Sequence, residues 1–285
     1  MFYYHEYMKY EKVKMLSNSQ FKRLIGIQPS TFLEMLEVLE SSQVNTQRGR
    51  PSSLSLEDQL LMTLSYWREY RTLFHVAMSY GIHESTASRI IHKIENILIK
   101  SDKFHLPKKL PHGAWIDWNV VIVDATEMTI ERPKKQKRFY SGKKKRHTIK
   151  AQLIIHYETM QIISLGLTHG STHDFQLFKA QRKKQRYQAF MLIDKGYLGL
   201  NRLGIKCLMP FKASKKKPLT LLQKQINREI SKRRIRIEHV NGKLKTFRIL
   251  ATRYRNRRKR MGLRLNLIAA IYNMELVKKC FLQEV

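Results

Sequence analysis

Asp124, Asp194 and Glu238 are the side chains through which this sequence could do chemistry. Asp124 closes the branched apolar run Val121-Ile-Val, and Asp194 closes Phe190-Met-Leu-Ile. Unbroken apolar runs read as strands covered on both faces. Each aspartate is therefore expected at a strand tip, a rigid place for a reacting group. Glu238 lies in Arg234-Ile-Arg-Ile-Glu-His-Val-Asn-Gly-Lys-Leu-Lys245. There Arg234, Glu238, Asn241 and Lys245 recur at i, i+4, i+7 and i+11, one face of a helix. Two adjacent strands with a helix packed on their sheet would bring the three acids to one point. Mg²⁺ takes oxygen ligands and keeps several waters, so three acids plus DNA phosphates suffice to hold it. Two such ions about 4 Å apart activate a water and steady the leaving oxygen when a phosphodiester is cut. The bland alternative for Glu238 is an exposed ion pair with Arg234, common helix decoration. For Asp174, in Gly170-Ser-Thr-His-Asp174, the choices are a helix N-cap or an accessory place at the site, with His173 and Lys195 as further accessory candidates.

The totals say what such a site would act on. The formal net charge is +33 over 285 residues, a field that attracts polyanions. No apolar run approaches the roughly 18 residues of a membrane span, and residues 1–12 carry no apolar core of signal-peptide type. Nucleic acid is thus the expected partner and no membrane is; the expected place is the cytoplasm. Cys207 and Cys280 are the sequence's two cysteines, too few for a zinc cluster. No Gly-rich phosphate loop and no Gly-x-Ser-x-Gly elbow offers a competing chemistry.

The elements that must deliver DNA come first in the chain. Residues 1–105 read as a helical DNA-binding domain. Thr31-Phe-Leu-Glu34 fits a capping box ahead of a helix near 31–41. Arg48-Gly-Arg-Pro51 resembles an AT-hook core, two arginines for a narrow A·T minor groove, or else a basic turn. From about 55 to 99, helix, Gly81 turn and helix form a helix-turn-helix pattern, with Ala87, Ile90, Ile91, Ile94, Ile97 and Leu98 inward. Ser85, Thr86, Ser88 and Arg89 point outward at its start, suited to a groove. The alternative is an ordinary three-helix bundle. Pro107, Pro111 and Gly113 mark a linker at 106–118, and residues 119–285 form the second domain. In it, a strand near 148–155 alternates apolar with Thr148, Lys150 and Gln152, which predicts one solvated face. A hairpin partner follows at 162–167, then an edge strand at 206–211 and helices at 219–247 and from 263.

Asp124-Ala-Thr, Gly170-Ser-Thr-His-Asp, Asp194-Lys-Gly-Tyr and Arg234-x₃-Glu238-x₂-Asn-Gly-x₂-Lys245 together resemble the DDE transposases of bacterial insertion sequences, close to the insertion-sequence-five group. Tyr80-Gly-Ile-His-Glu-Ser-Thr-Ala-Ser-Arg89 is similar to that group's helix-turn-helix, and the likeness covers about residues 20–275. The resemblance implies an α/β fold, an RNase H-like mixed sheet flanked by helices, preceded by the all-α domain. It implies a catalytic triad on Asp124, Asp194 and Glu238 holding two Mg²⁺ ions, for which Mn²⁺ can substitute. It places accessory DNA or phosphate contacts on Arg234, Asn241 and Lys245. Ser231 stands where the family often has tyrosine. The implied activity is binding of terminal inverted repeats in double-stranded DNA, strand cleavage and transfer to target DNA, by a homodimer or larger assembly. The competing readings are a non-catalytic DNA-binding protein derived from a transposase and an RNA-cutting nuclease. A helix-turn-helix argues against the latter, since A-form RNA offers it no readable major groove.

Overall fold

A computed structural model describes residues 8–43, 52–107, 120–182, 189–214 and 218–281. Arg48, Arg50 and linker residues 108–118 lie outside these. The chain divides into two compact units, Met1–His105 with Leu244–Thr252 and Arg260–Val285, and Leu106–Lys243 with Arg253–Lys259.

The first unit is helical: α1 Tyr10–Val13, α2 Asn18–Ile25, α3 Pro29–Gln43, α4 Leu56–Glu69, α5 Leu73–Ser79 and α6 Glu84–Lys100. The capping box lies at Ser17 and Gln20, ahead of α2, not at Thr31. Pro29 opens α3, a position where its missing N–H costs nothing, and Thr31 is buried inside that helix. Ser55, Thr72 and His83 cap the three helices that follow. Gly81 turns between α5 and α6 at φ 65, a backbone region that favours glycine. The core holds Phe32, Leu39, Leu60, Trp67, Ile94 and Leu98, each fully buried.

Residues 244–252 and 260–285, expected with the second domain, group with these helices instead. Their apolar stripe gives the reason. Helix α11, Met261–Phe281, buries Leu265, Leu267, Ile268 and Ile271, and it packs on α3 and α6. A buried acid locks it there. Glu95 of α6 accepts bonds from Trp67 Nε1 at 3.0 Å and Arg264 Nε at 2.6 Å, and also pairs with Arg260.

The second unit is a mixed sheet with helices. Its strands are β1 Val120–Thr129, β2 Tyr140–Ser141, β3 Arg146–His156, β4 Ile162–His169, β5 Phe190–Leu192 and β6 Cys207–Leu208. Its helices are α7 Gln136–Phe139, α8 Asp174–Arg182 and α9 Leu221–Lys245, whose last residues belong to the other unit, which also holds the short α10, Arg248–Ala251. Strands β1, β3 and β4 pair antiparallel, whereas β5 joins β1 and β6 joins β5 in parallel. In space the strands run β2-β3-β1-β5-β6, with β4 also paired to β3.

Strand β3 departs from expectation. It is buried from Thr148 to His156 with no solvated face. Phe178 of α8 and Tyr197 close one side over Val121, Val123 and Ile154. The polar residues of β3 therefore point into the protein and need internal partners.

Candidate catalytic site

The sheet register brings the two aspartates together. Val120, Val121 and Ile122 of β1 pair with Phe190, Met191 and Leu192 of β5. Asp124 and Asp194 thus each stand two residues beyond the last pair. Asp124 is not at a strand tip, since β1 continues to Thr129. It is open because β5 stops at Leu192, leaving that edge of β1 without a neighbour. Asp194 then begins a single 3₁₀ turn, Lys195–Tyr197.

Helix α9 supplies the counter-charge. Arg234 donates from Nη2 to Asp124 Oδ1 at 3.2 Å, and its Nη1 lies 3.3 Å from Asp194 Oδ1. One guanidinium, with a side chain 15% exposed, spans both carboxylates. Its fork geometry suits two acids at once, as a lysine's point charge would not. Asn241 Nδ2 approaches the other Asp124 oxygen at 3.5 Å. Burial pushes the Asp124 carboxyl above its usual range; Arg234 and the Ala125 backbone N–H pull it down, and Asp194 and Asp174 push it up again.

Glu238 is one helical turn from Arg234, on the face that carries Asn241, and it is exposed. Among the described residues, no three acids, histidines or cysteines stand close enough together to hold a metal ion. The structure therefore gathers two of the three predicted ligands and places the third on the adjoining turn. Arg234 is shared by the two aspartates, and Glu238 stands apart on the exposed side of α9. Lys245 ends α9, is exposed, and falls in the helical unit's part of the chain.

Asp174 is inside α8 as its first residue, not the N-cap. Its Oδ1 pairs with Lys150 Nζ at 2.8 Å. Lys150, 9% exposed, also donates to the Thr172 carbonyl at 2.7 Å. The other Asp174 oxygen lies 2.6 Å from where a Cβ on Gly196 would be, so the turn that starts at Asp194 rests against this carboxylate. Beneath it, Tyr197 donates to Gln152 at 3.3 Å and Gln152 to Gln181 at 2.9 Å. Gly166 leaves the space that Gln181 occupies. The Tyr197 hydroxyl is pushed far above its usual range by burial, then by Asp174, Asp124 and Asp194. Sequence reasoning read Lys150 and Gln152 as a solvated face, and met Gly196 and Tyr197 only within the Asp194-Lys-Gly-Tyr motif. The alternation of Thr148, Lys150 and Gln152 with apolar residues pointed to a solvated face, and their partners come from elsewhere in the chain. His173 and Lys195 are exposed.

In the helical unit, Ser85 and Arg89 are exposed at the start of α6, and Thr86 and Ser88 are half-buried. Arg89 lies along the helix, donating to Thr86 Oγ1 at 3.3 Å and the Ser85 carbonyl at 3.4 Å. No helix among the described residues is long and apolar enough to cross a membrane.

Comparison with known proteins shows the family to which the chain belongs. Residues 117–274 match the family described as transposase DDE domain, and residues 52–103 match the helix-turn-helix of DDE superfamily endonuclease. The chain is 47% identical over 279 residues to a protein of Microchaete diplosiphon named as the probable transposase of insertion sequence element IS702, covering 95% of this chain and 100% of that one. It is 26% identical over 229 residues to a protein of Streptomyces albus G named as the putative transposase for insertion sequence element IS112, covering 79% of this chain and 83% of that one. A solved piggyBac transposase synaptic complex with hairpin DNA aligns at TM-score 0.45 and 10% identity, over 94% of this chain and 77% of that one, a likeness too loose to argue from.

Proposed function

The chain belongs to the DDE transposases of bacterial insertion sequences, and on that premise we propose that it binds the terminal inverted repeats of its element, cuts there, and joins the freed 3′-hydroxyls to target DNA. Asp124, Asp194 and Glu238 are the ligands for two Mg²⁺ ions, with Mn²⁺ able to substitute. The observation that carries this reading is Arg234 lying across both aspartates, 3.2 and 3.3 Å away. Two carboxylates that converge on one cation fit a cation site. The donor set fits a hard ion, being all oxygen, and the buried Asn241 Oδ1 has no hydrogen-bond partner. Bound there, divalent ions would activate the attacking hydroxyl and steady the leaving oxygen.

The chain's own groups do the rest. Arg234 and Asn241 hold Asp124 in place, and Glu238 completes the ligand set from the same helix. Lys245, His173 and Lys195 are assigned to nearby phosphates, and Asp174 braces the Asp194 turn. Ser85, Thr86, Ser88 and Arg89 meet base edges in a major groove, while Arg48 and Arg50 reach an A·T minor groove. Pairing two element ends calls for a homodimer or larger assembly on double-stranded DNA, in the nucleoid of the bacterial cytoplasm.

The test is Asp194→Asn. The variant should lose strand cleavage of end-containing duplex in Mg²⁺ and keep its affinity for that duplex. Cleavage at the wild-type rate would show that the site is assigned wrongly. A wild-type chain that binds the ends and never cuts them would favour a non-catalytic DNA-binding protein instead.

A further inference from the structure

The far end of β1 carries a basic surface that the proposed site does not use. Past Thr129 the edge of β1 that β5 does not reach is taken by residues 253–259. Tyr254 N–H donates to the Thr129 carbonyl at 2.9 Å, and Glu131 N–H donates to the Tyr254 carbonyl at 3.2 Å. Ile130 and Tyr254 thus form a parallel bridge. Tyr254 is fully buried, and its hydroxyl donates to the Lys259 carbonyl at 2.6 Å, closing the loop on itself. Inside it, Lys259 N–H donates to the Asn256 carbonyl at 2.8 Å, a four-residue turn.

The central residues of that turn are Arg257 and Arg258, at φ 46 and φ 67. A turn with both central residues left-handed normally takes Asn-Gly, which adopts that backbone at little cost. Here two arginines are held in it, and both are exposed. Backbone strain maintained by surrounding structure points to use. The surroundings are specific. The Arg258 guanidinium lies 4.4 Å over the Phe139 ring, and that ring stacks 4.6 Å from His169. Arg138, next to Phe139 in the chain, is exposed; burial first, then the charges of Arg138 and Arg258, hold His169 below its usual range. Two segments more than a hundred residues apart thus meet where Arg258 covers Phe139, the neighbour of Arg138 in the chain. Thr129 lies five positions beyond Asp124, roughly 17 Å along a strand, so this surface is distinct from the carboxylate site.

We propose that the Arg257–Arg258 turn, with Arg138 and Lys259 beside it, is a dedicated clamp for the phosphate backbone of duplex DNA. The proposal rests on the DNA reading above and extends it to a second contact. Guanidinium forks pair bidentately with phosphate, and a rigid turn presents them with little left to order on binding. Backbone contact of this kind positions DNA without reading its sequence.

The test uses the full chain, a short duplex of random sequence and a salt series. The double variant R257G/R258G removes both charges and frees the strained backbone, so its melting temperature should not fall below the wild type's. Its affinity should fall roughly tenfold or more at about 0.1 M salt, and the slope of log K against log salt should shrink by about two. R257K/R258K should keep the wild-type slope, and R257Q/R258Q should lose it. Wild-type affinity and slope in the glycine or glutamine pair would overturn the clamp while leaving the proposed function intact. Failure of the wild type to bind duplex at all would overturn both.

Discussion

Gly196→Ala probes the brace beneath Asp194. The backbone at Gly196 is not left-handed, so alanine meets no conformational penalty there. The obstacle is one atom: the new Cβ would stand 2.6 Å from Asp174 Oδ2. Ordinary contact needs about 3.5 Å, so something must give by roughly 1 Å. Asp174 is ill placed to withdraw, because Lys150 grips its other oxygen at 2.8 Å and is itself fastened to the Thr172 carbonyl at 2.7 Å. The turn should move instead, carrying Asp194 two residues away. Overpacking of this size costs about 1–3 kcal/mol of stability, whereas a misplacement of about 1 Å at a reacting centre costs on the order of 100-fold in rate. Single-turnover cleavage of end-containing duplex should therefore slow about 100-fold while the fold survives a thermal melt. In an Asp174→Ala background, where the space is open, the same change should add little, a coupling that a double-mutant cycle reads directly. Wild-type cleavage by Gly196→Ala, or an equal loss in both backgrounds, would refute the reasoning.

Glu95→Ala should strip Arg264 and Trp67 Nε1 of their buried partner, since Glu95 is fully buried and Arg264 is 2% exposed. Breaking such a pair costs about 3–5 kcal/mol, a drop of roughly 10 °C in melting temperature; a change under about 2 °C would contradict it. Asp124→Asn should raise the melting temperature at neutral pH in chelator. Burial raises the folded-state pKa of Asp124, so its stabilising contribution is present below the ordinary carboxylate range and is lost as pH rises. The gain should vanish as pH falls through that range, and a constant gain at every pH would deny the cause. Mg²⁺ should raise the wild-type melting temperature and leave Asp124→Asn unmoved; equal shifts in both would place the ion elsewhere.

Much of the catalytic framework was legible because burial writes itself as apolar runs. Val121-Ile-Val and Phe190-Met-Leu-Ile announced two central strands, and the structure pairs them in parallel with their aspartates in register. The stripe of Arg234 and Asn241 announced which face of α9 meets them. What stayed hidden depends on partners from elsewhere in the chain. Lys150 and Gln152 look like a solvated face until α8 and Tyr197 cover that side of β3. Asp174 looks like a helix cap until Lys150 is seen beside it. Nothing local in residues 261–281 says that they pack with the N-terminal helices, because an apolar stripe does not name its partner.

The central claim is that segments around 124, 194 and 238 surround one divalent-ion site. Affinity cleavage measures this directly: Fe²⁺ is substituted for Mg²⁺, peroxide generates hydroxyl radicals at the ion, and the broken backbone positions are mapped. Cuts should cluster at Asp124, Asp194 and Glu238 and disappear in Asp194→Asn. Cuts that avoid Asp194, or that persist in the variant, would contradict the account.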